Sequence, residues 1–389
     1  KELESVSCGS FTTRYAWAAG RLTNVSWQGV ATPLQGVSYS YLENSDLLKK
    51  TIYLDGAVET HRNYDAADRL TRIYVTNSTG LINSFEYSLD STGKRVARQD
   101  ADGSQLAWGY DRYDQLTSAA RTNGPNGAAD AAYRFNYLYD QVGNRMHEDR
   151  GQLDLDVTFN PLNQLTALVW GGKLDVVGNV GATGVVVKVS GVTAAMFNAT
   201  NYLGGGNVGN PGSNNIPVVA WLGTNATELN RTVYMPPVKP QAFLWDLNGN
   251  LTNDGQKAFL WNEENRLVAI ESLVGAKRRS EYIYDSQGRR IQKTDYSAWN
   301  GSAFSITNIT RFVWDGWLLL AELAADNLIK AYHVHGLDLS QTLQGAGGIG
   351  GLLCRIEGGT NCFYTFDGNG NVADILDTND VVVAHYEYD

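Results

Sequence analysis

The sequence predicts an all-β protein: an antiparallel sheet assembled from a repeated strand–turn–strand unit, with a small β-sandwich inserted into it. Three observations carry this. A motif of two aromatics one residue apart, then Asp, then Gly or Asn three residues on, recurs along the chain. Forty-one Gly stand against only eight Pro, which calls for many turns. One interval between motifs is far too long, and a stretch of different composition fills it.

The unit explains itself physically. Aromatics at i and i+2 of an extended segment share a face, so each strand has one sticky side. Asp at the strand end can accept backbone N–H bonds in the turn, and the Gly or Asn beyond it supplies a left-handed position. A Leu-containing or β-branched stretch then starts the return strand. One unit cannot bury its aromatic face alone, so neighbours must add edge to edge.

Taken in order, Tyr64-Asp65 leading to Arg69-Leu70 is an early copy, and Trp108-Gly109-Tyr110-Asp111 leads to Gln115-Leu116. The clearest copies run from Tyr137 through Tyr139, Asp140 and Gly143 to Arg145, and from Tyr282 through Tyr284, Asp285 and Gly288 to Arg290. Between them lie Phe243-Leu244-Trp245-Asp246 with Gly249, and Phe259-Leu260-Trp261-Asn262. Phe363 to Asn371, with Asp367 and Gly370, follows, and Tyr386-Glu387-Tyr388-Asp389 is a last copy cut short.

Anchors recur every 15–30 residues or so, as in repeat arrays. Asn160 to Asp246 breaks that rule, and removing roughly 70 residues restores an ordinary step. We therefore divide the chain into repeats over 1–170, an insertion over 171–240, repeats over 241–330 and a distinct segment over 331–389. In the insertion, Val185 to Val189, Val218 to Leu222 and Thr232 to Met235 read as strands. Clusters such as Gly204-Gly205-Gly206-Asn207 read as separators, and Pro236-Pro237 with Pro240 as a stiff exit. The expectation is a β-sandwich of immunoglobulin-like size.

Hydrophobic residues are 43% and aromatics 11%, which excludes wholesale disorder. The net charge of −10 argues against nucleic acid as a partner. No apolar run is long enough for a spanning helix, so no membrane span is expected. No signal-like segment opens the chain, and any secretion signal is expected outside it. The chain opens at Lys1 and closes at Asp389, and reads as a fragment.

Three cysteines are too few for a disulfide scaffold. A hairpin centred on Gly358 would set Cys354 opposite Cys362, as a bridged pair or as two buried free thiols. His333 and His335 share a strand face and could chelate a metal with His385, but an ordinary strand with a polar face accounts for them. The Asp246 and Asp367 turns look superficially like calcium loops yet lack the bidentate Glu at position twelve. Gly345 to Gly351 lacks the Lys-Ser/Thr of a P-loop. No nucleophile elbow or His-Glu-x-x-His occurs, and nothing singles out a carboxylate pair. No catalytic residue, cofactor or metal is assigned. The sequons at Asn24, Asn77, Asn198, Asn225, Asn250 and Asn308 matter only in a eukaryotic secretory pathway.

The repeats resemble the YD-repeat, or RHS-repeat, proteins. The stretch from His335-Gly336-Leu337-Asp338 through Gly345-Ala346-Gly347-Gly348 to Leu353 looks like the start of that family's RHS-associated core, followed by Phe366-Asp367-Gly368-Asn369-Gly370-Asn371. The resemblance covers nearly the whole chain apart from the insertion, and weakly residues 1–60. It implies a long sheet that spirals into a hollow shell, a β-cocoon that in bacterial members encloses a variable C-terminal toxin; teneurins reuse the fold at animal cell surfaces. Several members cut themselves with aspartates in Asp-Pro-x-Gly contexts. This chain has no Asp-Pro, so no catalysis is assigned to Asp389.

The function expected is a non-catalytic shell segment of a secreted or surface bacterial protein that encapsulates and delivers a C-terminal effector absent from these residues. Its partners would be that effector, or neighbouring subunits joined by sheet-edge pairing. The alternative is a surface adhesin or structural filament whose aromatic-rich sheets bind glycans or proteins.

Overall fold

A computed structural model describes residues 3–29, 35–53, 56–122, 127, 129–197, 200–208, 212–235 and 241–388. The sequon at Asn198, the exit at Pro236, Pro237 and Pro240, and Asp389 lie outside the described residues. The fold is all-β, with large antiparallel sheets and no α-helix among the described residues. No helix is long and apolar enough to cross a membrane.

The chain divides into two compact units. The first comprises Lys1–Asp102, Glu281–Tyr296 and Ser305–Asp389; the second comprises Gly103–Ser280 and Ser297–Phe304. In the first unit, strands Ser5–Cys8 to Arg95–Asp100 pair antiparallel in chain order, as do Arg290–Tyr296 to Val382–His385. The two series share one core. Trp27, Val25 and Val37 from the early strands pack with Val334, Cys354 and Phe363 from the late ones. Phe11 stacks on Tyr332 with ring centroids 4.2 Å apart.

In the second unit, strands Gln105–Tyr110 to Leu165–Gly172 also pair in chain order. The chain then leaves for the sandwich and returns at Gln241–Ala242, which pairs back onto Leu165–Gly172 with Ala167 opposite Ala242. The sandwich has a three-strand sheet ordered Leu174–Asn179, Asn201–Gly206, Ala195–Phe197. Its partner sheet is ordered Val192–Thr193, Val186–Val189, Gly212–Leu222, Asn225–Met235. Val187, Val189 and Ile216 lie fully buried in its core.

Two expectations about the sandwich need correction. An immunoglobulin domain keeps its first two strands in one sheet. Here the second strand pairs with the sixth, Val187 opposite Ala220, so the strand order is not immunoglobulin-like. Gly204, Gly205 and Gly206 do not separate strands; they lie within one. A Cβ on Gly204 would meet Val189 Cγ2 at 2.3 Å, and one on Gly206 would meet Ile216 Cδ1 at 2.7 Å. The sheets approach so closely there that only glycine fits.

The repeat motif becomes one turn used many times. At Asp140, the backbone N–H donates to Asn144 O at 2.9 Å, and Gly143 N–H returns to Asp140 O at 3.2 Å. Asp140 Oδ1 accepts from the N–H groups of Val142 and Asn144 at 3.0 and 2.8 Å, and Oδ2 accepts from Asn144 Nδ2 at 2.9 Å. Gly143 has φ +91°. The same arrangement recurs at Asp65, Asp246, Asp285 and Asp367, and with Asn in place of Asp at Asn160 and Asn262. The bond from the Asn144 side chain, joined by the backbone N–H groups, holds the Asp140 carboxyl below its ordinary pKa.

Each turn is followed by a bulge. Leu138 faces His147, but Tyr139 faces Arg145, so one residue is skipped. Towards the preceding unit the ladder stops short: Leu116–Thr122 pairs with Ala129–Tyr139 only from Ser118 opposite Asn136 onward. The Leu116 carbonyl then has no rung on that side. Tyr139 Oη donates to it at 2.8 Å. The second aromatic of other units does the same, Tyr64 to Leu48 O at 2.9 Å, Trp245 Nε1 to Leu165 O at 2.6 Å and Trp261 Nε1 to Leu251 O at 2.7 Å. This position therefore favours an aromatic with a donor.

Tyr139→Phe keeps the ring and removes only this donor. We expect it to cost about 0.5–1.5 kcal/mol in urea denaturation, with Leu138→Ala on the exposed face near neutral. Gly204→Ala should destabilise the sandwich by about 1–3 kcal/mol, read as a lower melting temperature.

Candidate functional site

The residues singled out from the sequence do not converge on one site. They form one set per unit. Tyr137, Asp140 and Gly143 belong to one; Trp245, Asp246 and Gly249 to a second; Tyr282, Tyr284, Asp285 and Gly288 to a third; Asp367 and Gly370 to a fourth. Gly249, Gly288 and Gly370 all carry positive φ, between +78° and +83°. In three units an arginine lies over the first aromatic ring: Arg95 over Tyr87 at 4.0 Å, Arg145 over Tyr137 and Arg290 over Tyr282 at 5.1 Å each. That role was legible, since each arginine stands eight residues after its aromatic.

Side chains converge instead in the first unit, where the glycine-rich segment Leu337 to Gly351 seats on the early strands. Asp338 organises this segment from a buried position. Its Oδ1 accepts from the Ser340 N–H and hydroxyl at 2.9 and 2.6 Å; Oδ2 accepts from the Ala346 and Gly348 N–H groups at 2.7 and 3.2 Å. Burial alone would raise its pKa, but the Ser340 hydroxyl and the backbone donors outweigh burial and lower it. Tyr15 Oη donates to His335 O at 3.3 Å, and Leu48 N–H donates to Gln341 Oε1 at 2.5 Å. Gly368 N–H donates to Tyr87 Oη at 2.7 Å.

A second polar contact lies deeper. Asp374, buried in an otherwise apolar strand, accepts from Asn83 Nδ2 at 2.8 Å, and its other oxygen meets His385 Nδ1 at 2.7 Å. Thr365 Oγ1 lies 3.1 Å from Oδ2. Sequence reading missed this group; the signal was a lone Asp within Val372-Ala373-Asp374-Ile375-Leu376.

The three histidines have separate partners. His333 Nε2 lies 3.1 Å from Glu322 Oε1, His335 Nε2 donates to Leu319 O at 2.9 Å, and His385 is taken by Asp374. Among the described residues, no group of three His, Cys, Asp or Glu side chains could hold a metal ion. The Asp246 and Asp367 carboxylates are engaged by the donors of their own turns.

Of the two cysteine alternatives the structure has the free thiols, and the expected register of the hairpin is corrected. The hairpin is centred between Gly358 and Gly359, with Glu357 opposite Thr360, so Cys354 faces Phe363 and Cys362 faces Arg355. A one-residue offset sends the two thiols to opposite faces of the sheet. All three cysteines are free.

No protein-family profile matches the chain. The tRNA3(Ser)-specific nuclease WapA of Bacillus spizizenii is 33% identical over 154 residues, which is 39% of this chain and 6% of that protein. The tRNA nuclease WapA of Bacillus subtilis is 30% identical over the same length and share. The matched stretch thus spans about 6% of the length of these curated relatives. A solved structure of TcdB2-TccC3-Cdc42 aligns with 97% of this chain and 20% of that chain, at 13% identity and a TM-score of 0.39.

His335 makes a pH prediction. Burial pushes its pKa down to about 4, while its Nδ1 is buried with no partner among the described residues. The unfolded chain takes up this proton near pH 6.5, and the folded chain does so only near 4. Stability should therefore fall as pH drops through that window, by about 2–3 kcal/mol from this group. Chemical denaturation of His335→Gln across pH 4–7 should show that slope reduced.

Proposed function

We propose that this chain is a non-catalytic, shell-building segment of a secreted or surface bacterial YD-repeat protein. It contains and delivers an effector carried outside residues 1–389. One observation carries the reading: the same turn, bulge and aromatic-to-carbonyl bond recur along the chain, spending its conspicuous residues on extending a sheet. The core-like segment seated on the early strands and the sequence similarity to part of the WapA proteins support it. In this reading, the tRNA nuclease activity named for those proteins resides outside the matched stretch. The spiral closure of the sheet and the family membership belong to the proposal.

Cryo-EM of the purified protein that carries this chain tests it, together with protease digestion under native conditions. We expect a curved sheet around a hollow, and a C-terminal segment that resists protease until the protein is denatured. A solid or filamentous body with an exposed tail would overturn containment, and an adhesive or structural role would then lead.

A further inference from the structure

Arg62, on strand Val58–Tyr64, is half-buried in the first unit. Of its donors, Nη1 bonds Thr51 Oγ1 at 3.0 Å. Among the described residues no carboxylate pairs with it. The ionisable groups that reach it are the phenols of Tyr64, Tyr53 and Tyr39. Burial raises the pKa of each phenol, so all three are neutral at ordinary pH. A guanidinium stays protonated even where burial lowers its pKa. The result is a half-buried cation with spare donors and no carboxylate bonded to it among the described residues, an arrangement that a bound anion would complete.

Beside it lies a cavity of about 190 Å³, lined by Arg62, Tyr64, Ile73, Leu339, Gln341 and Phe366 among others. That is room for about six waters. Asp338, Asp367 and Arg95 also border it, but all three are committed elsewhere. The two carboxylates bind their own turns, and Arg95 holds Gly368 O at 3.0 Å and Asn369 Oδ1.

Gln341 adds an independent sign. It occupies the left-handed position of the Asp338 turn, with φ +59°, where turns of the array place Gly, Asn or Asp. A longer side chain there is strained, and such strain collects at functional positions. Its Oε1 is fixed by the Leu48 N–H, which leaves Nε2 without an acceptor among the described residues. Two polar groups with spare N–H donors thus line one small cavity whose walls are part polar and part apolar.

We propose that this cavity binds a carboxylate, held in the fork of Arg62 with Gln341 Nε2 as a further donor. A planar oxyanion matches a guanidinium bidentately and supplies the missing charge. The carboxylate could come from a free small acid or from an acidic side chain of a peptide.

The test titrates the whole protein with sodium acetate and with a glutamate-containing tripeptide, following melting temperature and calorimetric heat. Sodium chloride at equal ionic strength is the control. Acetate should raise the melting temperature saturably and beyond chloride. Arg62→Met should abolish the response, and Arg62→Lys, which keeps the charge but not the fork, should weaken binding about tenfold. Gln341→Gly should relieve the turn and weaken binding severalfold. Tighter binding of the tripeptide than of acetate identifies a chain-borne carboxylate; the reverse identifies a free acid. If neither ligand exceeds chloride, the cavity holds only water and the proposal fails. An undiminished response in Arg62→Lys and Gln341→Gly would overturn it equally, even if Arg62→Met does not fold.

Discussion

The regular feature that ties many of these units together is the satisfaction of one backbone carbonyl by a side-chain donor. Each tight turn bends its hairpin through a bulge, and the bend pulls the first residue of the return strand away from the next hairpin. A carbonyl such as that of Leu116 would then lose its rung of the ladder. The phenol of Tyr139 restores the bond from the side. Because the donor sits directly before the Asp that caps the turn, one short motif closes its own hairpin and fastens it to the previous one. The aromatic is thus a hydrogen-bonding residue as much as an apolar one, which fits the presence of Tyr or Trp there in the units with this bond.

The same economy explains the charge pattern. Arginines lie over aromatic rings at Tyr87, Tyr137 and Tyr282, covering apolar faces with side chains that keep their heads polar. Between the two aromatics, Leu138 and Ile283 remain 63% and 50% exposed, so the opposite face carries scattered aliphatics. A sheet built this way has two chemically distinct surfaces, one aromatic and stapled, the other open.

Legibility followed range. The Asp140 and Gly143 turn could be read from sequence because its chemistry closes within five residues. The glycines at 204–206 were misread because their reason is tertiary: Val189 and Ile216 press against them from the facing sheet. The cysteine pairing failed on half a residue, since a two-residue Gly358-Gly359 turn and a turn centred on Gly358 predict opposite faces. The sandwich was visible as a change in composition, while its strand order was not, because composition carries no pairing information. The Arg62 cavity was invisible: a single cation in a strand looks like any solvated residue until Leu339 and Phe366 are placed beside it.

The return of Gln241–Ala242 onto Leu165–Gly172 has a consequence for how such chains evolve. The polypeptide departs from and returns to the same strand pair, so Gln241–Ala242 takes the next place in the order after Leu165–Gly172. The junction is a socket. A module whose two ends emerge side by side can be accommodated there without shifting the register of the sheet. The sandwich is nonetheless fastened at its root, since Gln152 Nε2 donates to Asp175 Oδ1 at 3.2 Å and Trp170 packs against its core.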